Sequence, residues 1–198
     1  QINGKGKEYY SNGNLMFDGE YLNGERNGKG KEYQDNGNLK FEGEYLIGKR
    51  WNGKGKVYYR NGKLLFKGEY LNGKIWNGNG YNNNDIIDFS IKNGNGKRKE
   101  YYENGKLMFE GEYLNGQING KGKEYNKNGE LIFEGEYLNG ERNGKAKIYY
   151  RNGNLMFEGE FLNGQINGKG KEYNKKGELI FEGEYLNGKR KYVNDKLN

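Results

Sequence analysis

The sequence predicts an all-β fold, an elongated, open and twisted single sheet of tandem β-hairpin repeats. Three observations lead to this prediction. The chain has 36 glycines and no proline among 198 residues, 15% of its residues are aromatic, and one glycine-rich phrase recurs along nearly its whole length. Glycine at every few positions disfavours helix, at about 1 kcal/mol per residue relative to alanine. Recurrence of such a phrase is typical of arrays in which each repeat contacts only its neighbours.

The repeat is marked by the glycine that opens the phrase GKGKEY and its variants. Successive copies are separated by 24, 25, 25, 18, 24, 24 and 24 residues, so seven units are regular and the unit at 78–95 is shortened. The marking glycines are Gly4, Gly28, Gly53, Gly78, Gly96, Gly120, Gly144 and Gly168.

Each regular unit contains the elements of one β-hairpin. KGKEYY is a short first strand, SNG and its variants DNG, RNG and ENG form the turn, and LMFEGEYL is the second strand. Asn-Gly accepts the positive φ angles that tight hairpin turns require. A second turn, in NGERNG, leads into the next unit.

The second strand has one constant face. Leu15, Phe17, Gly19 and Tyr21 recur in nearly every copy with a period of two, so they share one side of the sheet. We call this side the inner face. Gly19 leaves a gap between the two aromatic side chains, and rings of adjacent strands can lie across it. The stacked copies are therefore expected to form a ladder of Phe and Tyr.

The length of the hairpin loop decides which tyrosine of the first strand is buried. Tyr9 is constant among the regular copies, whereas Tyr10 is replaced by Gln or Asn in several, so we expect Tyr9 to be buried and Tyr10 exposed. A three-residue loop over 11–13, with Gly13 in the left-handed region and a bulge, places Tyr9 opposite Leu15. A two-residue loop would place Tyr10 there instead.

The composition argues against an enzyme. The chain lacks His, Cys and Thr, and its only serines are Ser11 and Ser90, so no nucleophile has a base beside it. Carboxylates such as Glu110 and Glu112 recur in almost every unit, which favours a solvated ladder over a single catalytic pair. No cofactor is expected, and without His or Cys the usual zinc sites are excluded.

The repeated phrase resembles the MORN-repeat family. That family combines aromatic-x-Gly-x-aromatic with a following glycine, Gly-x-Gly and a further aromatic residue before Asn-Gly. Here these are FDGEY at 17–21, Gly24, GKG at 28–30 and Tyr33, and seven units carry the phrase in register. The resemblance implies a MORN-like array of hairpins with roles in protein–protein interaction, scaffolding and dimerisation. It also implies binding to acidic phospholipids as an alternative.

The units define the domain organisation that we expect. MORN-like repeats 1–3 cover 1–77, a degenerate repeat covers 78–95, and repeats 5–8 with a C-terminal tail cover 96–198. Arg98 and Ala146 depart from the pattern, because each replaces the second glycine of its unit. The opening residues QINGKGKEYY recur almost unchanged inside the chain, so we expect a part of a longer array.

The predicted function is a non-enzymatic scaffold that binds a protein along the aromatic ladder. A peptide or a helix would lie on the rings, with Glu and Lys at the rims. The alternative is that the rings are only the core of the fold. Trp51 precedes the irregular segment at 74–96 and Trp76 lies within it, and the two tryptophans form either a partner site or local packing. The partner-binding candidates are Phe109, Tyr113, Phe133, Tyr137, Phe157, Phe161, Trp51 and Trp76.

Two other functions use different chemistry. The net charge of +7 and recurring lysines favour peripheral binding to acidic phospholipid membranes, whereas cross-strand pairing with the interleaved Glu residues is the structural alternative. Carbohydrate binding ranks third, because tryptophan does not recur in each unit. No nucleic acid is expected.

We expect a cytoplasmic location, which would be membrane-peripheral if lipid is bound. An end-to-end homodimer that forms through strand edges is a further option. The lipid-binding candidates are Lys121, Lys123, Lys169 and Lys171.

Overall fold

The computed structural model of the chain describes residues 3–59, 61–102 and 104–192. The regular elements in these residues are all β-strands. Accordingly, the described part holds no helix with the length and apolar character needed to cross a membrane. The chain divides into two compact units, Gln1–Arg98 and Lys99–Asn198.

The first sheet contains eight strands, and each pairs with the strand that follows it in sequence. The strands are β1 (Gly4–Tyr9), β2 (Leu15–Leu22), β3 (Glu25–Tyr33), β4 (Leu39–Leu46), β5 (Lys49–Tyr58), β6 (Leu64–Leu71), β7 (Lys74–Tyr81) and β8 (Ile87–Ile91).

The second sheet contains nine strands in the same consecutive order. They are β9 (Gly96–Tyr101), β10 (Leu107–Leu114), β11 (Gln117–Tyr125), β12 (Leu131–Leu138), β13 (Glu141–Tyr149), β14 (Leu155–Leu162), β15 (Gln165–Tyr173), β16 (Leu179–Leu186) and β17 (Lys189–Lys191).

The all-β fold of open antiparallel hairpins is confirmed, but the described strands form two sheets where the sequence led us to expect one. The first sheet ends at β8, which lies in the irregular segment. This strand has five residues, whereas the regular second strands have eight. It carries Phe89-Ser90-Ile91 instead of the aromatic-x-Gly-x-aromatic phrase, so its pairing surface is shorter than that of a regular strand.

The hairpin turn has the predicted three-residue loop. Gly13 N donates to Tyr10 O at 2.9 Å, and Tyr10 N donates to Asn14 O at 2.9 Å. Gly13 has a φ of 85°, which glycine adopts without strain. Tyr9 pairs with Leu15, and the register shifts between Glu8 and Tyr9. The loop with Gly13 in the left-handed region and the pairing of Tyr9 with Leu15 are therefore confirmed, whereas the register shift between Glu8 and Tyr9 is a second irregularity that the sequence did not predict.

The burial predicted for the two tyrosines is wrong. Tyr9 is 58% exposed, whereas Tyr10 is half-buried. Because Glu8 pairs with Phe17, Glu8 points to the inner face and Tyr9, its neighbour in the strand, points to the opposite face. Tyr10 is held by its hydroxyl, which donates to Tyr33 O at 2.8 Å.

A two-residue turn joins each hairpin to the next. Leu22 pairs with Glu25 across Asn23 and Gly24, whose φ angles of 53° and 84° are both positive. This geometry matches the type I′ turn that suits the twist of paired strands. The corresponding turn after β4 has Ile47 in place of asparagine, at a φ of 49°.

Aromatic rings over a row of glycines form the core of each sheet. Gly19 pairs with Gly30, and the Phe17 ring lies over both. A Cβ atom on Gly30 would be 2.4 Å from Phe17 Cζ and 3.3 Å from Tyr45 Cδ2. The glycines thus provide the gap predicted from sequence, and the rings fill it.

Candidate functional site

A continuous ladder of rings runs across the inner face of the first sheet. The Phe17 centroid is 5.6 Å from that of Tyr21 in the same strand and 4.9 Å from that of Tyr45 in the next hairpin. Phe41 repeats the arrangement with Tyr45 and Tyr70 at 5.4 and 5.3 Å. These ring pairs are T-shaped, a geometry favoured by the aromatic quadrupole.

The second sheet carries the same ladder, and it brings together all six ring candidates. Phe109 is 5.6 Å from Tyr137, and Phe133 is 5.7 Å from Phe161. The six rings are buried, and the most accessible one, Tyr113, is only 7% exposed. The structure therefore places Phe109, Tyr113, Phe133, Tyr137, Phe157 and Phe161 in the floor of the inner face.

Charged side chains lie over this floor. Glu8 Oε1 accepts hydrogen bonds from Tyr21 Oη at 2.5 Å and from Arg26 Nε at 2.9 Å. The Arg26 guanidinium carbon is 4.2 Å from the centre of the Phe17 ring, within cation–π range. Each such group joins three neighbouring strands, because its tyrosine, glutamate and arginine come from β2, β1 and β3.

The Glu–Arg pair recurs across the sheets with a constant sequence separation of 18 residues. Where the glutamate is missing, its partner is missing as well. The ion pairs are Glu8–Arg26, Glu32–Arg50, Glu124–Arg142 and Glu172–Arg190, and two positions carry Val57 with Ile75 and Ile148 with Ile166 instead. Glu100 with Ile118 is a mixed case.

Our reasoning from sequence missed this row of inner-face charges. We assigned the recurring Glu residues to a solvated ladder because they recur in almost every unit. The signal was present, however, because Glu and Arg are replaced together by apolar residues at positions 18 apart.

Burial and hydrogen bonding shift the pKa values of this row. Burial alone would raise the pKa of Glu124, but the hydrogen bonds from Arg142 and Tyr137 hold it below its ordinary value. The pKa of Tyr137 is raised, first by burial and then by its bond to the Glu124 carboxylate. The same causes raise the pKa of Tyr21 to about 12. At neutral pH the glutamates are therefore ionised and the tyrosines are protonated.

The four lysine candidates lie on the outer face, the side opposite the rings. Lys123 Nζ is 3.7 Å from a Glu134 carboxylate oxygen, and Lys171 Nζ is 3.1 Å from one of Glu182. The other two pair in register with a glutamate, Lys121 with Glu136 and Lys169 with Glu184. Each candidate lysine thus faces a carboxylate across the hairpin.

One hairpin departs from this charge pattern. Lys56 pairs with Lys67 across β5 and β6, whereas Lys31 pairs with Glu42 at the corresponding position of the preceding hairpin. Both Lys56 and Lys67 are exposed.

The two tryptophans lie at equivalent bulges in the first sheet. Trp51 is the extra residue between Asn52, which pairs with Glu44, and Arg50, which pairs with Tyr45. Trp76 has the same place in β7. Both are half-buried, and their carbonyl oxygens accept bonds from Gly73 N and Gly94 N. They are thus strand residues beside the following turns.

The remaining acidic residues have structural partners. Glu110 Oε1 accepts from Tyr125 Oη at 2.8 Å, and Glu112 Oε2 accepts from Lys121 N at 2.9 Å. Within the described residues, no cluster of three or more His, Cys, Asp or Glu side chains could hold a metal ion.

Comparison with known proteins identifies the repeat. No curated protein matches the chain significantly. The chain is similar to a chain in the "Crystal Structure of TcdB2-TccC3-Cdc42", with 12% identity and a TM-score of 0.20, over 88% of this chain and 12% of that one. That likeness is too weak to support an argument. The MORN repeat variant model matches 2–23, 51–76, 94–115 and 142–163, and the MORN repeat model matches 17–39, 109–130 and 157–178. Together these matches cover more than half of the chain.

Proposed function

The chain belongs to the MORN-repeat family, and we propose that it is a scaffold that binds a protein segment along the inner face of its sheets. Repeats of this family are generally non-enzymatic scaffolds for protein or membrane interactions. Of these two roles, we propose protein binding for this chain.

The observation that carries the proposal is that, within each unit, no second layer of described strands packs on the inner face. A sheet in an ordinary domain buries one apolar face against a second layer. In each unit of this chain the described strands form one sheet, and the rings are covered by their own Tyr, Glu and Arg side chains. The inner face is therefore accessible to a partner along the row of hairpins.

The chemistry of this face suits a mixed polar and apolar segment. Arg and Tyr are enriched among the residues that contribute most to binding energy. Between the ion pairs lie half-buried apolar positions, such as Ile148 and Ile166 beside the Glu124–Arg142 pair. The six buried rings would support these contacts from below. Neighbouring repeats are about 10 Å apart, twice the spacing between strands, which sets the period of the bound segment.

Membrane binding is the competing function. It would use Lys121, Lys123, Lys169 and Lys171, and each of these faces a carboxylate. Interleaved charges of both signs weaken the attraction of a face for anionic lipid. This arrangement favours the protein partner over the lipid surface.

The test uses a display library of random 16-residue peptides selected on the full chain. We expect selected peptides to bind at the inner face. Replacing Ile148 with Glu and Ile166 with Arg, the pair that other repeats carry, should weaken binding at least tenfold without unfolding the sheet. The control variant Lys145→Gln alters the outer face and should leave the affinity unchanged.

Two results would contradict the proposal. One is a failure to select any peptide, or selection only of peptides that are sensitive to Lys145→Gln. The other is co-sedimentation with acidic vesicles at physiological salt that is lost in Lys121→Gln with Lys169→Gln, together with no peptide binding. The second result would instead support peripheral binding to acidic membranes as the function of the chain.

A further inference from the structure

Six hairpin loops end in Asn-Gly, the dipeptide in which the asparagine side chain is chemically most labile. Glycine has no side chain to hinder the approach of its backbone nitrogen to the asparagine Cγ, where ring closure releases ammonia. Because the dipeptide is the same in each loop, the structure around it decides which asparagine reacts. The six residues are Asn12, Asn36, Asn61, Asn104, Asn128 and Asn152.

The amide group of most of these asparagines is held by hydrogen bonds. Asn104 Oδ1 accepts from Lys106 N at 3.0 Å, and Asn152 Oδ1 accepts from Asn154 N at 3.1 Å. The amide nitrogens of both asparagines also donate to a carbonyl oxygen of the next hairpin loop, at 3.0 Å in each case. A side chain bound at both ends cannot turn its Cγ towards the following nitrogen without breaking these bonds. The bond from the N–H two residues later is also made at Asn12, Asn36 and Asn61.

At Asn128 a different residue takes the donor that makes this bond. Glu130 N, which lies two residues after Asn128, donates to Asn126 Oδ1 at 3.1 Å. Asn126 Oδ1 also accepts from Asn128 N at 2.9 Å, and Asn126 Nδ2 donates to Glu130 Oε2 at 2.7 Å. The N–H that holds the amide oxygen in the other five loops is therefore committed to Asn126. The Asn128 side chain is exposed and lacks this restraint.

The residue before the loop accounts for the difference. Tyr102 directs its hydroxyl to the next hairpin, where it donates to Tyr125 O at 2.8 Å, whereas Asn126 bonds its own loop. Of the loops that follow Asn82, Asn126 and Asn174, only the one after Asn126 contains Asn-Gly. The position alternates along the chain between tyrosine and an amide residue, as Tyr10, Gln34, Tyr59, Asn82, Tyr102, Asn126, Tyr150 and Asn174.

We propose that Asn128 is a site of spontaneous deamidation, which converts this loop into aspartyl and isoaspartyl forms. The Gly129 nitrogen loses its proton to water or hydroxide and attacks Asn128 Cγ. The bond from Cγ to Nδ2 then breaks, and the amide nitrogen takes up a proton and leaves as ammonia, which gives a succinimide ring. Water opens the ring at either carbonyl carbon and yields aspartate or isoaspartate, each with one new carboxylate.

The hydrogen bond of the glycine N–H does not distinguish the loops. Gly129 N donates to Asn126 O at 2.8 Å, and Gly105 N and Gly153 N make the equivalent bond at 2.9 Å. In every loop this bond must open before the nitrogen can react, so its opening is a cost that the loops share. The difference in rate therefore comes from the asparagine side chain.

Deamidation at Asn128 changes both the charge and the backbone of the loop. In the isoaspartyl form the main chain runs through the former side-chain carbon, and the former backbone carbonyl becomes a free carboxylate. Lys106 Nζ already donates to that carbonyl oxygen at 2.8 Å, so the product gains an ion pair with the preceding hairpin. The lengthened loop no longer has three-residue geometry. This chemistry takes place at the end of the hairpin, so it does not depend on binding at the inner face.

The test is incubation of the full chain at neutral pH, followed by digestion with pepsin in acid, where ring closure is slow. Mass spectrometry then gives the rate of deamidation at each asparagine. We expect Asn128 to react about tenfold faster than Asn104 and Asn152, the factor supplied by the hydrogen bonds that hold the other two. In urea, where the loops are unfolded, the three rates should converge. Equal rates in the folded chain, or a slower rate at Asn128, would overturn the proposal.

Two reciprocal variants test the cause of the difference. Asn126→Tyr releases Glu130 N to the Asn128 side chain and should slow deamidation of Asn128 severalfold. Tyr102→Asn should withdraw Lys106 N from Asn104 and speed its deamidation severalfold, which provides a second test should Asn126→Tyr fail to fold. Asn152 is the internal standard, because general loosening of the sheet would accelerate it as well. An unchanged ratio to Asn152 in either folded variant would refute the proposal.

Discussion

The guanidinium carbon of Arg142 lies 4.0 Å from the centre of the Phe133 ring. The same guanidinium donates to Glu124, with Nη2 2.6 Å from Oε2. One arginine thus covers a ring of the core and neutralises a half-buried carboxylate of the preceding hairpin. This contact explains how a single-layer sheet keeps its aromatic core shielded from water.

The Glu124–Arg142 pair should tolerate joint replacement better than single replacement. Glu124→Ile or Arg142→Ile leaves one half-buried charge without its partner, and each should lower the free energy of unfolding by about 1–3 kcal/mol. The double variant recreates the Ile148 and Ile166 combination of the same sheet. Its free energy of unfolding should therefore fall by less than that of either single variant. Urea unfolding of the four proteins measures this.

A suitable control is the same double-mutant cycle at Lys123 and Glu134, an outer-face pair 3.7 Å apart. Its coupling should be below about 1 kcal/mol, as is usual for exposed pairs. If the decrease in the free energy of unfolding of the double variant at 124 and 142 equals the sum of the two single decreases, the two residues act independently.

Acid should destabilise the chain through the inner-face carboxylates. The folded pKa of Glu124 lies below its ordinary value of 4.5. A group with a depressed folded pKa stabilises the fold above its unfolded pKa, and this stability is lost as the pH falls through the folded value. Urea unfolding between pH 7 and pH 3 should therefore show loss of stability beginning near pH 5. The variant with Ile at both 124 and 142 should show a smaller loss, and an equal loss would contradict the assignment.

Ile47→Asn should stabilise the first unit. Ile47 has a φ of 49°, a conformation that costs a β-branched residue about 1–2 kcal/mol, whereas asparagine adopts it at the equivalent Asn23. The side chain is 64% exposed, so little apolar burial is lost. Thermal unfolding should show a rise of a few degrees in the transition of this unit. The reverse change, Asn23→Ile, should lower the unfolding temperature of this unit. If neither variant changes the unfolding temperature, backbone strain at this turn is excluded.

Lys67→Glu should remove a repulsion on the outer face. It converts the Lys56–Lys67 pair into a Lys–Glu pair like Lys31–Glu42 of the preceding hairpin and should add up to about 1 kcal/mol at low salt. The gain should shrink in 1 M NaCl, because exposed charges are screened there. A gain that is unchanged in 1 M NaCl would indicate a cause other than charge pairing.

The sequence predicted features that depend on local chemistry. The three-residue loop followed from Gly13, which readily adopts the required φ, and the ring ladder followed from the period of Phe17, Gly19 and Tyr21. The burial of Tyr9 was predicted wrongly, because its constancy has another cause. Its equivalent Tyr125 bonds Glu110 on the outer face. Constancy between copies indicated a contact but not the side on which the contact lies.

The ends of the sheets and the bonds between turns depend on relations between hairpins. Asn126 bonds Glu130 within its own turn, whereas Tyr102 and Tyr150 bond a carbonyl oxygen of the next hairpin. Whether the side chain at position 126 bonds its own turn or the next hairpin depends on its distance from Tyr149, and the sequence of a single hairpin does not specify that distance.

The alternation of Tyr102, Asn126, Tyr150 and Asn174 has a consequence for how the array changes in length. Gain or loss of one hairpin would set two phenol-bearing turns, or two amide-bearing turns, side by side. Gain or loss of two hairpins preserves the order. Two hairpins, 48 residues from Gly96 to Gly144 or from Gly120 to Gly168, are therefore the smallest step that preserves the order, and an engineered array should be lengthened in that increment.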